Sequence, residues 1–360
     1  MADSDVIVWV LTSDAIGGDG QSIAIADALG WPYQRKRIRF TSRMRGLAQY
    51  RGRFFRPDLS GVDRAASDSL VEPWPDLVIA AGRRQVPVER WIRWRSGGRT
   101  RIVHIQRPIA PLGIFDLVIC DGYAAGRRNV IDVVFPLMRK TATPEPAYLE
   151  RWRARFAELP RPWHMLFIGG PAAPFRLDPA DGLKMLAEVS AHAGAAGGSA
   201  FISTSRRTPP DVIAAMRAAM PANARLFEWS PGMEDNPYQA MLALADTAIA
   251  TADSVSMMTE VARQGRPAWI YPLPEARRRK GGLARSLYHA RYEGREDWKT
   301  WVADKLRLAG FLDLPDNLKV FQHRFIAAGC GGVFGAAPFD FRPPPDELPQ
   351  VVERIRSWFA

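Results

Sequence analysis

Cysteine is nearly absent from this chain: Cys120 and Cys330 are the only two among 360 residues. With no CxxC pair and no Cys/His cluster, neither a disulfide scaffold nor a structural zinc site is supported. No window approaches the roughly 18 uninterrupted apolar residues of a spanning helix. The opening residues, Met1 to Asp5, carry no basic stretch, and the apolar run at 6–11 is too short for a signal peptide. That run reads as a first strand and the chain as cytoplasmic. Catalytic signatures are missing too. There is no nucleophile elbow, HExxH, EF-hand loop or DxD pair in a strand-tip loop, so hydrolase and metalloenzyme readings lack support and no metal is expected. RNP, KH, zinc-finger and helix-turn-helix patterns are also missing, as is any short-period repeat.

What the chain does have is positive charge. Lys and Arg number 49 against 38 Asp and Glu, a net charge of +11. This balance favours anionic partners. The 47% apolar fraction is ample for two cores, and the length suits two domains. The charge is uneven. Residues 35–56 hold nine basic and no acidic side chains: Arg35, Lys36, Arg37, Arg39, Arg43, Arg45, Arg51, Arg53 and Arg56. Tyr33, Phe40, Tyr50, Phe54 and Phe55 are interleaved with them. A solvated basic face and a face resting on an anionic membrane are the two leading readings; nucleic acid is not expected. A second basic cluster runs from Arg277 to Lys280.

Strand and helix signals alternate along most of the chain. Strands are expected at 6–11, 77–81, 101–105, 117–120 and 131–135, with helices at 21–29 and 88–95. A break at 136–146 and a charged helix at 148–159 precede a second series. Its strands are expected at 165–168, 201–204, 225–229, 247–251 and 268–271. Its helices are expected at 179–192, 210–220, 238–245 and 254–263, with closing helices at 299–309 and 347–358. Strands separated by helices imply parallel sheets covered on both faces. The expected architecture is α/β: two Rossmann-like, doubly wound domains facing a cleft. The first spans 1–145 and the second 160–340, with a closing helix in 341–360 that crosses back to the first.

Ligands of such folds gather at the C-terminal strand ends, where this chain places glycine, hydroxyl and cationic residues. The richest stretch is 246–267. There a buried strand and a tight turn at 252–254 feed a helix, whose N terminus suits a phosphate. Ser254 and Ser256 add hydroxyls, and Glu260 could accept from a ribose diol. The bland alternative is a strand-turn-helix with Asp253 as N-cap. Arg206 or Arg207 could pair with phosphate oxygens, and Gly169-Gly170 could admit a ligand close to the backbone. In the first half, Gly17, Gly18, Asp19, Gly20 and Gln21 read as a phosphate loop or as a flexible turn. His104, near a strand tip, is structural or catalytic. Asp14, Asp19 and Asp121 are candidate general bases, and Asp14 or Asp19 could instead cap the following helix.

Several stretches carry a resemblance: Asn236, Pro237 and Tyr238; Ala245 and Asp246; the run from Thr251 to Met257 with Glu260; Ser13 and Asp14 with Gly20 and Gln21; His104, Ile105, Gln106 and Pro108; and Thr204 to Pro209. Together these resemble the bacterial branch of the "elongated mitochondria" (ELM-type) mitochondrial-fission family. That resemblance implies a GT-B glycosyltransferase-like fold. The second half is also similar in layout to the peptidoglycan N-acetylglucosaminyltransferase that makes lipid-linked precursors. The similarity implies that Ser254, Val255 and Ser256 contact the donor diphosphate, that Glu260 holds the ribose, and that Phe227 to Trp229 lie near the base. It also implies that Gly17 to Gln21 face the reaction centre. Asp19 stands where many relatives are expected to carry histidine, and Arg107 where an acidic residue is common.

The leading expectation is a metal-independent, cofactor-free glycosyltransferase. It would bind a nucleotide-diphosphate sugar through Gly169, Gly170, Arg206, Arg207, Phe227, Trp229, Asn236, Ser254, Val255, Ser256 and Glu260. Asp19, or failing it Asp14, would be the base. The acceptor would be a membrane lipid or lipid-linked glycan met at Gly17, Gly18, Gly20, Gln21 and His104, on the inner face of an anionic membrane. A non-enzymatic membrane adaptor and a nucleotide-sugar epimerase are the alternatives.

Overall fold

The computed structural model describes residues 6–13, 16–41, 57–108, 110–120, 127–138, 144–172, 174–276, 298, 301–302, 305–306 and 318–360. It divides into two compact units. One comprises Met1–Thr141, Lys280–Leu314 and Asp346–Ala360; the other comprises Ala142–Arg279 and Pro315–Pro345.

The first unit is a six-stranded sheet in the order β2-β1-β3-β4-β5-β6. Its strands are β1 Val8–Thr12, β2 Tyr33–Arg37, β3 Leu77–Ala81, β4 Arg101–Ile105, β5 Leu117–Cys120 and β6 Val130–Asp132. Every neighbouring pair is parallel. Near-continuous apolar runs such as Leu77, Val78, Ile79 and Ala80, fully buried, are what a sheet covered on both faces requires. Helix α1 (Ile16–Leu29) covers one face and α2 (Val86–Arg95) the other.

The C-terminal helix α9 (Leu348–Arg356) crosses back to this unit. Val351 and Ile355 join the core formed by β1, β3 and α1. The Phe359 ring meets Trp31 edge-on at 5.3 Å. Just before α9, the Glu347 carboxylate accepts the Val134 amide at 3.0 Å and the Phe135 amide at 3.0 Å, tying the helix start to the end of β6.

The second unit repeats the plan in the order β12-β11-β10-β7-β8-β9, again parallel throughout. Its strands are β7 Trp163–Phe167, β8 Ser199–Ser203, β9 Ala224–Phe227, β10 Thr247–Thr251, β11 Ala268–Tyr271 and β12 Gly331–Val333. The helices are α3 Pro146–Phe156, α4 Pro179–Ala195, α5 Pro210–Ala218, α6 Tyr238–Leu244, α7 Val255–Arg263 and α8 Leu318–Ala327. Trp152, Phe156, Trp163, Phe201 and Phe227 interlock as an aromatic wedge between α3 and the sheet. A reciprocal capping box, Asp178 with Asp181, starts α4.

Four elements differ from the sequence expectations. Helix α1 begins at Ile16, so Gly17 to Gln21 lie within it and not in a loop ahead of it. Strand β2 occupies part of the basic stretch: Arg35, Lys36 and Arg37 sit on a sheet edge, where charge is tolerated and discourages edge-to-edge pairing. Lys36 lays its ammonium 4.7 Å from the Trp9 ring centre. Strand β12 and helix α8 extend the second unit beyond β11. Arg43, Arg45, Arg51, Arg53, Arg56, Asp14, Asp121 and the cluster at 277–280 lie outside the described residues, as does most of the expected helix at 299–309. Among the described residues no helix is long and apolar enough to cross a membrane.

In each sheet the chain reverses its direction of travel once, between β1 and β3 and between β7 and β10. The loops leaving those strand pairs diverge to opposite faces and open a crevice at the C-terminal ends.

Replacing Glu347 by Ala should remove two charge-assisted hydrogen bonds and lower the unfolding free energy of the first unit by about 2–3 kcal/mol. Urea denaturation followed by tryptophan fluorescence checks this, with an unchanged midpoint as the contrary result.

Candidate functional site

At the β7/β10 switch point three chain segments converge on one carboxylate. Asp253 follows β10, and its side chain is fully buried. Its Oδ2 accepts the Gly170 amide at 2.8 Å, and its Oδ1 accepts the Thr251 hydroxyl at 2.6 Å. The Arg207 guanidinium donates to the same Oδ2 at 2.8 Å and to the Ser254 hydroxyl at 3.1 Å. The β8–α5 loop is stitched to the same place, because Ser205 and Thr208 both donate hydroxyls to the Gly169 carbonyl, at 2.9 and 2.6 Å. The Gly169 amide in turn donates to Thr251 Oγ1 at 2.9 Å.

This knot changes how several residues are read. A Cβ built on Gly169 would lie 2.1 Å from Asp253 Oδ2, and one on Gly170 would lie 2.1 Å from the Arg207 carbonyl. The glycines are therefore small because protein loops press on them, and the space expected for a ligand is filled by Asp253, Ser254 and Arg207. Asp253 is not the N-cap of α7. Ser254 occupies that position and makes no side-chain capping bond. Among the described residues nothing accepts from the amides of Val255, Ser256 and Met257, the orphan donors of a helix start. Arg207 keeps 43% of its side chain exposed, so its cation stands beside those amides with one side in water.

Next to this anion-friendly end lies a hollow of about 230 Å³. Phe227, Trp229, Met233, Pro237, Tyr238 and Met257 give it apolar and aromatic walls, while Thr204, Arg206 and Asn236 add polar ones. The Trp229 amide donates to Thr204 Oγ1 at 2.8 Å, which fixes the β9 exit. Asn236 Oδ1 accepts the Tyr238 amide at 3.0 Å and fixes the start of α6. Arg206, Phe227, Trp229 and Asn236 thus share one hollow, beside the α7 start that carries Ser254, Val255 and Ser256.

Glu260 is placed differently from expectation. It does not line the hollow; its Oε2 accepts the Tyr238 hydroxyl at 2.5 Å. Burial raises the pKa of Glu260 and raises that of Tyr238 well above the phenol range, so the phenol remains a donor.

In the first unit, α1 brings Asp19 back to the tip of β1. Its Oδ2 accepts the Ser13 amide at 2.8 Å, and burial raises its pKa against the opposing pull of that bond. Gly18 packs on β3, where an added Cβ would stand 3.2 Å from the Ala81 Cβ; Gly20 faces open space. Gln21 Oε1 accepts the Leu137 amide at 3.2 Å. Close packing and the Asp19–Ser13 bond explain why this stretch is helical despite its glycines, each of which disfavours helix by about 1 kcal/mol. His104 is sealed in the core. Its Nδ1 lies 2.9 Å from both oxygens of fully buried Glu89, and its ring stands against Phe115, so it is a core residue and not part of an acceptor surface.

Substituting Asp253 by Ala leaves the Gly170 amide and the Thr251 hydroxyl without their acceptor. The second unit should lose about 3 kcal/mol, the scale of two hydrogen bonds to a charged group. Equilibrium denaturation measures it, and a loss within about 0.5 kcal/mol, as for an ordinary surface change, would contradict the knot.

The chain matches the solved structure of UDP-GlcNAc 2-epimerase from Methanocaldococcus jannaschii with a TM-score of 0.51 at 9% identity, covering 98% of this chain and 99% of that one. A second structure of that enzyme, in complex with UDP-GlcNAc and UDP, gives 0.50 at 9% identity over the same shares. These likenesses show the fold, the two-sheet GT-B-like α/β arrangement expected from the sequence. Among sequences, the mitochondrial fission protein ELM1 of Arabidopsis thaliana is 30% identical over 237 residues, which is 59% of this chain and 55% of the plant protein. The match thus spans little more than half the length of that relative. An uncharacterized protein of Rickettsia prowazekii, RP120, is 25% identical over 304 residues, 74% of this chain and 83% of its own. The model of the family described as mitochondrial fission ELM1 matches residues 17–308, and the chain belongs to that family.

Proposed function

We propose that this protein is a metal-independent glycosyltransferase that moves a sugar from a nucleotide-diphosphate donor to a membrane lipid or lipid-linked acceptor. The observation that carries the reading is the second unit's crevice: three helix-start amides and the Arg207 cation stand beside a hollow walled by Phe227 and Trp229. Diphosphate suits the first part, and an aromatic-walled hollow suits a base. Solved proteins of the same fold include an epimerase crystallised with UDP-GlcNAc and UDP.

In sugar transfer the leaving diphosphate gains charge as the glycosidic bond breaks. Amides already pointing at it and a fixed guanidinium stabilise that charge without reorganisation. The acceptor hydroxyl must lose a proton. Asp19, with its pKa raised by burial, is the first candidate base, at the switch point of the first unit; Asp14 is the second. The basic edge at Arg35, Lys36, Arg37 and Arg39 would rest on an anionic membrane from the cytoplasmic side.

The decisive assay incubates the protein with UDP-, GDP-, ADP-, CDP- and dTDP-linked sugars, with and without membrane-lipid vesicles. The proposal expects nucleoside diphosphate to be released only when lipid is present. Isomerised free nucleotide-sugar without acceptor would instead make it an epimerase. Absence of both release and nucleotide binding would make it an adaptor that keeps the fold. Asp19→Asn should lower the lipid-dependent rate by about 10²–10⁴ and leave nucleotide affinity unchanged; an undiminished rate would exclude Asp19 as the base.

A further inference from the structure

We infer that α3, which gives the hollow no lining residue, sets the hollow's shape from outside, and that Tyr148 is the positioning residue through which it does so. This rests on the donor-site reading above and places the choice of base in a helix that the base does not touch. Residues 228–237 connect β9 to α6 and supply Glu228, Trp229, Met233, Asn236 and Pro237 to the wall. The segment has no helix or strand of its own, so its course depends on what holds it. Near its start the Trp229 amide is bonded to Thr204 Oγ1. Toward its end the ties come from α3. The Tyr148 hydroxyl donates to the Asn236 carbonyl at 2.6 Å and accepts the Ala240 amide at 3.2 Å. The second bond serves as a cap. Pro237, at the N-cap position of α6, makes no side-chain capping bond, and Tyr148 supplies one from another helix. Burial raises the pKa of Tyr148, so its hydroxyl stays protonated and can donate while it accepts. Arg151 donates to Asp235 Oδ1 at 2.9 Å, and Arg155 pairs with the other oxygen of the same carboxylate.

The same helix backs another part of the wall. The Trp152 ring meets Phe227 edge-on at 5.5 Å, and the Phe156 ring stands 5.9 Å from Phe227. Tyr148, Arg151, Trp152 and Arg155 are spaced i, i+3, i+4 and i+7, which is one face of a helix. One helix face thus supports the wall from Phe227 to Asn236. Its ties differ in weight. Asp235 and both arginines are exposed enough for water and salt to screen their pairs. Tyr148 is half-buried and meets a backbone carbonyl and a backbone amide, both of which lose a partner without it. A loop ordered before the ligand arrives spares binding the entropy of ordering it. Loosening this loop therefore penalises the base that fits the held wall best. A base that fits poorly gains little from the wall and loses little with it.

The test measures UDP, GDP, CDP and ADP by calorimetry on wild type, Tyr148→Phe and Asp235→Ala, together with amide hydrogen exchange of each protein. Wild type should bind its best nucleotide at least tenfold more tightly than its worst. Tyr148→Phe removes one oxygen and two hydrogen bonds. It should weaken the best nucleotide by about tenfold and leave the worst nearly unchanged, so that the preference collapses. Amides at 230–240 should exchange faster in this variant, while those of β7 and β10 keep their wild-type protection. Asp235→Ala cuts only the exposed arginine ties and should give the same signature at smaller size, which keeps the inference testable if Tyr148→Phe does not fold. An unchanged preference in folded Tyr148→Phe overturns the inference while leaving the donor site standing. Equal weakening of all four nucleotides does the same, because that is the mark of general destabilisation, and so does equal affinity of wild type for all four. Failure of wild type to bind any of them removes the donor-site reading itself.

Discussion

The second unit depends on one buried carboxylate. Asp253 takes hydrogen bonds from the β7 exit, from the end of β10 and from the β8–α5 loop, so three chain segments far apart in sequence are held at one point. A buried carboxylate is costly unless its lone pairs are met, and here an amide, a hydroxyl and a guanidinium meet them. The consequence is directional. Because Asp253 bonds backward into the loops, it does not cap α7. The first-turn amides are left facing outward, and the cation that neutralises Asp253 stands beside them with one side in water. One constraint thus both ties the loops of the crevice together and leaves the α7 start uncapped beside a cation.

The first unit also has a parallel sheet with one switch point, but a different strand order and different chemistry beside that point. There Asp19 reaches back from α1 to the Ser13 amide, Gly18 lets the helix approach β3, and Gln106 turns the chain out of β4 with a φ of 73°, a conformation rare for a residue with a side chain. No guanidinium neutralises Asp19 among its described bonds, and burial raises its pKa. A carboxylate that binds protons more readily than usual suits proton transfer, whereas the buried, bonded Asp253 suits architecture. Each unit thus places a carboxylate near its switch point, Asp19 after β1 and Asp253 after β10.

Much of the fold was legible because buried parallel strands write continuous apolar runs. Strands at 77–81, 101–105, 117–120, 247–251 and 268–271 begin and end where the sequence placed them. Elements carrying a second constraint were harder to read. Strand β2 is masked by the charges of an edge, α1 hides its first turns behind glycines that packing demands, and β12 spans only Gly331 to Val333. Helix α8 carries a signal in Leu318, Phe321 and Phe325, spaced for one helical face, but no strand pattern introduces it. Within the site, the hydroxyls and arginines of 204–208 and the helix start at 254–256 were legible as strand-tip chemistry. Asp253 was not, since an Asp one residue before a helix reads equally well as a cap. The bond between Tyr238 and Glu260 joins two helices and leaves no local pattern.

On the proposed reading the knot at Asp253 builds a site for a nucleoside diphosphate. ³¹P NMR of UDP, GDP, CDP and ADP titrated with the protein tests it most directly, because the phosphorus nuclei report the groups said to meet the α7 amides and Arg207. Wild type should shift or broaden the α- and β-phosphate resonances of at least one nucleotide, with much weaker effects for Arg207→Ala. Resonances unmoved by folded wild-type protein, for all four nucleotides at millimolar concentration, would contradict it.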